Sequence, residues 1–405
     1  MTNSDARGYS MESTAPSPLA ERALAEVEKS ELSFAKTLAA NDTGATGGHQ
    51  SGVLINKRGG RVLFPQGEPE TSPVTEDIEI AWQPAGTVTQ SKAKWYSSKG
   101  EYRVTGGFGK VIGAENAGDL FILIRVDESE YLAFVLSTEA DIEFFRSSTG
   151  ISPAESSALL EAGARSDNGG IGAEIDEDTL ISLFVSGLDD AFPAGSQVAA
   201  EARRICELLG GGVGDAIARP DRRLLEWVDL EYRLFQRIEE HNLLPVVRSG
   251  FRTLQEFIDL ANSVKNRRAS RAGHSLEYHV EALLIANRVA YTAQGRTELH
   301  KRPDFLLPSE DAYHDPAYPS KALSMLAVKT TCKDRWRQVI SEADRIQVKH
   351  LLTLQQSISA HQIEEMTDAG IQLVVPRRFH PMYPAESRSR LMSVEAFLRD
   401  APKLS

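Results

Sequence analysis

Pro303-Asp304-Phe305-Leu306-Leu307 sets an aspartate directly before an apolar run that reads as a buried strand. A second apolar run, residues 323–328, delivers Lys329 at its end, and Thr330-Thr331-Cys332-Lys333-Asp334-Arg335-Trp336-Arg337 follows. Residues 334–345 carry Trp336, Val339, Ile340 and Ala343 near helical spacing, which predicts a helix bearing Glu342. One strand then offers an acid, its neighbour a lysine, and the next helix a second acid. Hard carboxylate oxygens hold Mg²⁺, while a lysine beside them places water and neutralises charge growing on a phosphoryl group. The chemistry implied is metal-assisted phosphodiester hydrolysis.

The usual form of this signature is Pro-Asp, a gap, then acid-x-Lys. Ala327 stands two before Lys329, so the strand lacks its second carboxylate, and Glu342 is the best replacement. Glu277, early in a helix expected to begin at Ser275, either adds a carboxylate to the metal shell or complements the helix dipole. Cys332 reads either as a nucleophilic thiol or as a small buried filler, the commoner fate of a free cysteine. The Pro-Asp…Lys pattern alone is weak, because any strand can begin and end this way.

The elements that must position these groups are read from the whole chain. Its 405 residues, 41% of them hydrophobic, suffice for two ordinary cores at roughly 100–200 residues per domain. A net charge of −12 argues mildly against nucleic acid, yet binding depends on where cations cluster. Two cysteines cannot form a disulfide framework, and no run resembles a membrane span or secretory signal, so a cytoplasmic protein without membrane contact is expected.

Residues 1–18 read as a loose leader and 19–38 as a helical patch. The polar, glycine-rich stretch 40–50 is either a surface loop or one that brings backbone N–H groups and His49 to a phosphate or base edge. Between 52 and 137, short alternating runs at 61–64, 78–82, 120–124 and 132–136 predict strands of a β-barrel or sandwich. Within it, residues 91–103 mix Lys92, Lys94, Lys99 and Arg103 with aromatics and a single acid, Glu101. The cations can grip phosphates while Glu101 accepts from cytosine N4, although a solvated hairpin has the same composition.

A helix near 139–149 precedes the clearest linker signal, Ala164-Arg165-Ser166-Asp167-Asn168-Gly169-Gly170-Ile171-Gly172. The expected division is residues 1–165, a linker at 166–178, and residues 179–405. The second half turns helical at 223–240, 254–264 and 275–290, and the acid-free segment 265–274 reads as a phosphate-contacting or merely solvated loop. Strands at 349–354 and 371–375 with helices at 362–369 and 394–398 complete a mixed α/β domain.

Several segments together resemble a known family. Asn41-Asp42-Thr43-Gly44-Ala45-Thr46-Gly47-Gly48-His49-Gln50, the stretch from Ala261-Asn262-Ser263-Val264 to Ser275-Leu276-Glu277, and Leu326-Ala327-Val328-Lys329-Thr330-Thr331-Cys332-Lys333-Asp334-Arg335-Trp336-Arg337-Gln338 resemble the EcoRII-type restriction endonucleases. The resemblance implies an N-terminal effector domain of the B3-like pseudobarrel type and a C-terminal nuclease of the PD-(D/E)XK class. It further implies a type IIE enzyme that recognises CC(A/T)GG in double-stranded DNA, cleaves 5′ of the first cytosine, and needs more than one copy of the site. Carried over by position, Asp304, Lys329 and Glu342 are catalytic, with Tyr313 and Lys333 nearby. Lys36, His49, Lys99, Glu101 and Arg103 contact effector DNA, and Lys94 joins them as a cation of the same region. Leu54 stands where the family pattern has a tyrosine, and Tyr102 where it has a lysine.

The mechanism expected from these readings has Asp304 and Glu342 holding Mg²⁺, Glu277 in or near that shell, and Lys329 orienting the attacking water. Lys333-Asp334-Arg335 is the expected base reader, because Arg335 can meet guanine O6 and N7 while Asp334 accepts from cytosine N4. A two-fold symmetric site calls for a homodimer. Tolerance of either central A·T pair can be met by extruding that pair. Autoinhibition by the N-terminal domain would explain the two-domain plan. A catalytically dead DNA-binding regulator and a structure-specific repair nuclease are the two rival classes.

Overall fold

Ser17 accepts the Ala20 N–H through its hydroxyl, Pro18 opens the first turn, and α1 (Pro18–Lys29) follows. The computed structural model describes residues 16–44, 52–70, 73–161, 176–188, 191–210 and 214–404. The helix expected over 19–38 is shorter than its pattern: Ser30 turns extended, and Leu32–Thr37 forms β1 instead. That strand pairs on both sides, with residues 120–124 and 157–161, and the pairing overrides its local pattern.

The remaining N-terminal strands are β2 (Gly52–Ile55), β3 (Val74–Gln83), β4 (Thr87–Tyr96), β5 (Glu101–Thr105), β6 (Leu120–Arg125) and β7 (Glu130–Leu136). Helix α2 (Glu139–Thr149) and β8 (Ser157–Glu161) follow. The eight strands form one sheet in the order β2-β5-β4-β3-β7-β6-β1-β8, antiparallel except where β3 meets β7. It curls around a core of Phe34, Trp82, Trp95, Phe108 and Phe121, while α1 and α2 cover its other face through Ala20, Ala23 and Phe145. The strand expected at 61–64 is a 3₁₀ turn at Gly59–Val62. A β-carbon on Gly59 or Gly60 would stand 2.3 Å from the Phe34 or Tyr102 ring, so the glycines let both rings reach the backbone.

The expected linker at 166–178 falls mostly on 162–175, outside the described residues. At residue 176 the described chain resumes, and Asp176 caps α3 (Glu177–Ser186) by accepting the Thr179 N–H. Helices α4 (Gly195–Leu208), α5 (Asp215–Ala218), α6 (Pro220–Ser249) and α7 (Leu254–Ala286) come next. Two helices and a basic loop were expected over 254–290, but α7 runs unbroken for 33 residues. Arg268 explains part of this, bonding Glu239 of α6 at 2.8 Å, while Arg271 lies over the Tyr232 and Phe235 rings.

The last elements are β9 (Thr292–Ala293), β10 (Phe305–Leu307), α8 (Glu310–His314), β11 (Ser324–Lys329), α9 (Trp336–Ile340), β12 (Lys349–Thr353), α10 (Ala360–Asp368), β13 (Ile371–Val374) and α11 (Val394–Asp400). Their sheet is ordered β13-β12-β11-β10-β9, with β13, β12 and β11 parallel and the other two antiparallel. Met325, Leu326, Leu306 and Leu351 lie in its buried centre. Among the described residues, no helix is long and apolar enough to cross a membrane.

Candidate active site

The register Phe305↔Leu326 brings the start of β10 beside the end of β11, and so brings Asp304 to Lys329. Asp304 Oδ2 accepts the Val328 N–H at 2.7 Å and the Lys329 ammonium at 3.1 Å. Gln294 donates from its side chain to Oδ1 at 3.2 Å and from its backbone to the Asp304 carbonyl at 3.0 Å. The acid is nearly buried and held from three directions. Gln294 gave no signal in the sequence, since its place depends on the short β9–β10 pairing.

Glu342 does not lie on a helix, because α9 stops at Ile340 and Ala343 takes a left-handed φ of 51°. The residue sits on the turn that follows and is half-buried. Burial first, and the like charge of Asp304 second, push its carboxyl up to about 7, against the opposing pull of Lys329, Lys301 and Lys349. Its Oε2 is buried without a hydrogen-bond partner. Glu277, on α7, is raised by burial and again by Asp304, while Lys329 and His274 pull it down.

Glu342 and Glu277 therefore each feel the like charge of Asp304 and the opposite charge of Lys329. Among the described residues, no three His, Cys, Asp or Glu side chains are gathered closely enough to hold a metal ion. The donor set nonetheless suits a hard cation: an orphaned buried carboxylate oxygen and mutually repelling acids are what such an ion relieves.

Tyr313 is buried on α8, and its hydroxyl donates to Glu298, not to the Asp304–Lys329 pair. Cys332 is fully buried and its thiol is pushed up to about 12 by that burial, which leaves the filler reading.

Lys333, Asp334 and Arg335 meet the N-terminal domain. The Glu139 carboxylate, at the start of α2, accepts from Thr331 Oγ1 at 2.9 Å, from the N–H groups of Asp334 at 2.8 Å and Arg335 at 3.3 Å, and from Arg335 Nε at 2.9 Å. Lys333 pairs with buried Asp119 and donates to the Glu115 carbonyl at 3.1 Å. Farther along the junction, Gln355 reaches the Gly118 carbonyl at 3.1 Å, Gln356 the Glu155 carbonyl at 2.8 Å, and Arg268 the Ser147 carbonyl at 2.7 Å. A groove of about 710 Å³ opens beside Lys329, bounded by Phe144 of α2, Phe257 and Lys265 of α7, and Arg335. Glu139 escaped sequence reading because Thr138 and the acids of this first turn already look like an ordinary helix start. The basic segment 265–274 contributes helix-borne cations, not a phosphate-gripping loop.

In the N-terminal domain, the ladders Lys94↔Arg103 and Leu54↔Arg103 align β4, β5 and β2 side by side. Lys94, Glu101 and Arg103 share the outward row, with Arg103 3.7 Å from Glu101 and exposed Lys99 in the connecting turn. Lys36 departs from the expected contact set. Its ammonium is buried on Asp42 at 2.8 Å and on the Leu54 carbonyl at 2.7 Å, so it ties the ends of the 42–54 segment together. Tyr102 points inward and stacks on Trp95, with centroids 4.3 Å apart. His49 lies outside the described residues.

Both halves match family models: residues 27–159 that of the restriction endonuclease EcoRII N-terminal domain, and residues 235–398 that of the EcoRII C-terminal domain. The type II restriction enzyme EcoRII of Escherichia coli is 36% identical over 386 residues, 91% of this chain and 93% of that protein. The chain belongs to the EcoRII family. It is accordingly a type II restriction endonuclease, with a β-rich N-terminal domain followed by a mixed α/β C-terminal domain. The EcoRII family also has a more distant relative here in the type II restriction enzyme SsoII of Shigella sonnei, 26% identical over 157 residues, 36% of this chain and 50% of that one. Among solved structures, metal-depleted Ecl18kI with uncleaved, modified DNA gives a TM-score of 0.44 at 17% identity, over 56% of this chain and 83% of that chain. A PspGI–substrate DNA complex gives 0.42 at 17%, over 52% and 92%.

Proposed function

We propose that this EcoRII-family enzyme binds CC(A/T)GG in double-stranded DNA and hydrolyses the phosphodiester 5′ of the first cytosine, with a second copy of the site acting as effector on residues 1–165. The observation that carries the reading is the Asp304–Lys329 pair with Glu342 unpartnered beside it. Asp304 and Glu342 would hold Mg²⁺, with Glu277 in or next to that shell. When bound, the ion would draw charge from the scissile phosphate and favour ionised water. Lys329 would orient the attacking water and offset charge on the phosphate oxygens, and Asp304 keeps that ammonium in place.

Lys333, Asp334 and Arg335 would read the outer G·C pairs, and Lys94, Lys99, Glu101, Arg103 and His49 would meet effector DNA. The Glu139 and Asp119 contacts occupy the reading segment, which supports autoinhibition: DNA and the N-terminal domain compete for the same groups. Effector binding would favour an arrangement in which they are released. A homodimer would present one active centre to each strand of the symmetric site. The enzyme would act in the cytoplasm, and residues 166–178 would join its two working parts.

Digestion of DNAs with no site, one site or several, with and without Mg²⁺, tests this. Cutting confined to CC(A/T)GG DNA and enhanced by added sites is expected. Cutting without sequence preference would identify a structure-specific nuclease, and binding without cutting a regulator.

A further inference from the structure

Glu342 occupies a turn with a strained backbone. Ala343 adopts a left-handed φ of 51° and is buried with Val339 and Ile346, while the side chains of Ser341, Glu342, Asp344 and Arg345 stay outside the core. A second strained turn lies against it. In 297–301, Leu299 and His300 have φ of 55° and 63°, and Leu299 is 85% exposed, so no burial of that side chain offsets the conformation. What the second turn does is present two side chains to the first. Glu298 accepts the Asp344 N–H at 3.1 Å, and Lys301 donates to the Ser341 carbonyl at 2.7 Å.

Tyr313 closes the arrangement. Its hydroxyl lies 2.6 Å from both Glu298 oxygens and accepts the Arg345 N–H at 3.3 Å, while the Arg345 guanidinium bonds the carbonyls of Tyr313, Asp315 and Tyr318. Glu342 is therefore bracketed on both sides, at 341 and at 344–345, while its own Oε2 is left without a partner. A carboxylate aimed this way is held by its neighbours' bonds and keeps its own oxygens for something else.

We propose that Glu298 is a positioning residue for Glu342, acting with Tyr313 and Lys301 to staple the 341–345 turn so that the Glu342 carboxylate faces Asp304 and Lys329. Tyr313 then serves the reaction through Glu298 and not by touching the reacting atoms. The inference rests on the reading of Glu342 as a carboxylate that holds the divalent ion.

The test compares Glu298→Ala, Tyr313→Phe and Glu342→Gln in the full chain, with effector DNA saturating. Three quantities are measured: kcat and KM for a cleavable duplex, and the affinity for Mg²⁺ alone by calorimetry. Loss of a partner behind a metal ligand typically costs roughly 10- to 100-fold in activity or metal affinity. Glu298→Ala and Tyr313→Phe should lose kcat on that scale, keep KM for DNA, and bind Mg²⁺ more weakly. Adding Glu298→Ala to Glu342→Gln should weaken Mg²⁺ binding no further. If both staple variants behave as wild type while Glu342→Gln is inactive, or if their loss falls on KM, the staple is wrong. If Glu342→Gln itself cuts normally, the reading beneath it is wrong instead. Should Glu298→Ala not fold, Tyr313→Phe removes one oxygen only and carries the comparison.

Discussion

Replacing Glu139 by alanine should turn on cutting in the absence of effector. Glu139 is 4% exposed, and its carboxylate accepts from Thr331, from two backbone N–H groups and from the Arg335 guanidinium. Breaking a buried charge pair from one side costs about 3–5 kcal/mol. The arginine is 45% exposed, so water takes over part of its contact, and about 3 kcal/mol is the appropriate figure. At 1.4 kcal/mol per tenfold, the balance between closed and released arrangements moves roughly 100-fold. Cleavage of a one-site duplex without added effector should rise by up to that factor, while the effector-saturated rate stays put. Glu139→Gln, which keeps an acceptor but loses the charge, should fall between. Initial rates on one-site DNA, with and without a short effector duplex, measure this. A Glu139→Ala enzyme whose unstimulated rate matches wild type would refute the blocking role of α2.

Four further outcomes follow from the same geometry. Gly118→Ala places a β-carbon 2.0 Å from the Ser357 carbonyl oxygen across the junction, at a φ of 89°, so it too should raise the unstimulated rate; an unchanged rate would mean the junction does not restrain cutting. Lys329→Ala should lower the cutting rate by at least ~10²–10³-fold, the scale of losing one transition-state charge partner, with DNA retained in a mobility-shift assay. Because the Glu342 carboxyl is pushed up to about 7, it is neutral below that pH and ionised above it. Cutting at limiting Mg²⁺ should rise as pH passes through about 7, and more Mg²⁺ should carry that limb to lower pH; limbs that coincide at two Mg²⁺ concentrations would contradict this. The sign for stability follows: a raised folded-state pKa contributes stability that is full below the ordinary value of 4.5 and lost as pH climbs through about 7. Glu342→Gln should remove that part of the decline in metal-free Tm.

Much of this was legible in the chain itself. The Asp304 and Lys329 strands, the helix at 139–149 and the sheet strands near 120–136 follow from short-range apolar pattern, which fixes which face is buried. The errors fall where distant residues decide. Phe34 reads as helical until β6 and β8 pair with its strand. The basic run 265–274 reads as a loop, yet Glu239 of α6 takes up Arg268 within a continuous helix. Glu342 looks helical because the pattern of Trp336 and Val339 continues on paper; Ala343, with its left-handed φ, breaks it. Glu139, Gln294 and Glu298 have no signature, since each matters through partners 10 or more positions away. Lys36 shows the converse, a cation that looks free in sequence and is internally neutralised by Asp42.

The junction over residues 331–335 is made of ions and peptide groups, not of grease. Counterions reach its half-exposed Arg335 contacts and weaken them, less strongly than they weaken a grip on phosphates, and both relax as ionic strength rises. Dilute buffer favours a shut enzyme with strong affinity, and brine an unlatched one that lets its duplex go. Unprompted cutting should accordingly peak at an intermediate salt concentration, a maximum that a hydrophobic seal would never produce.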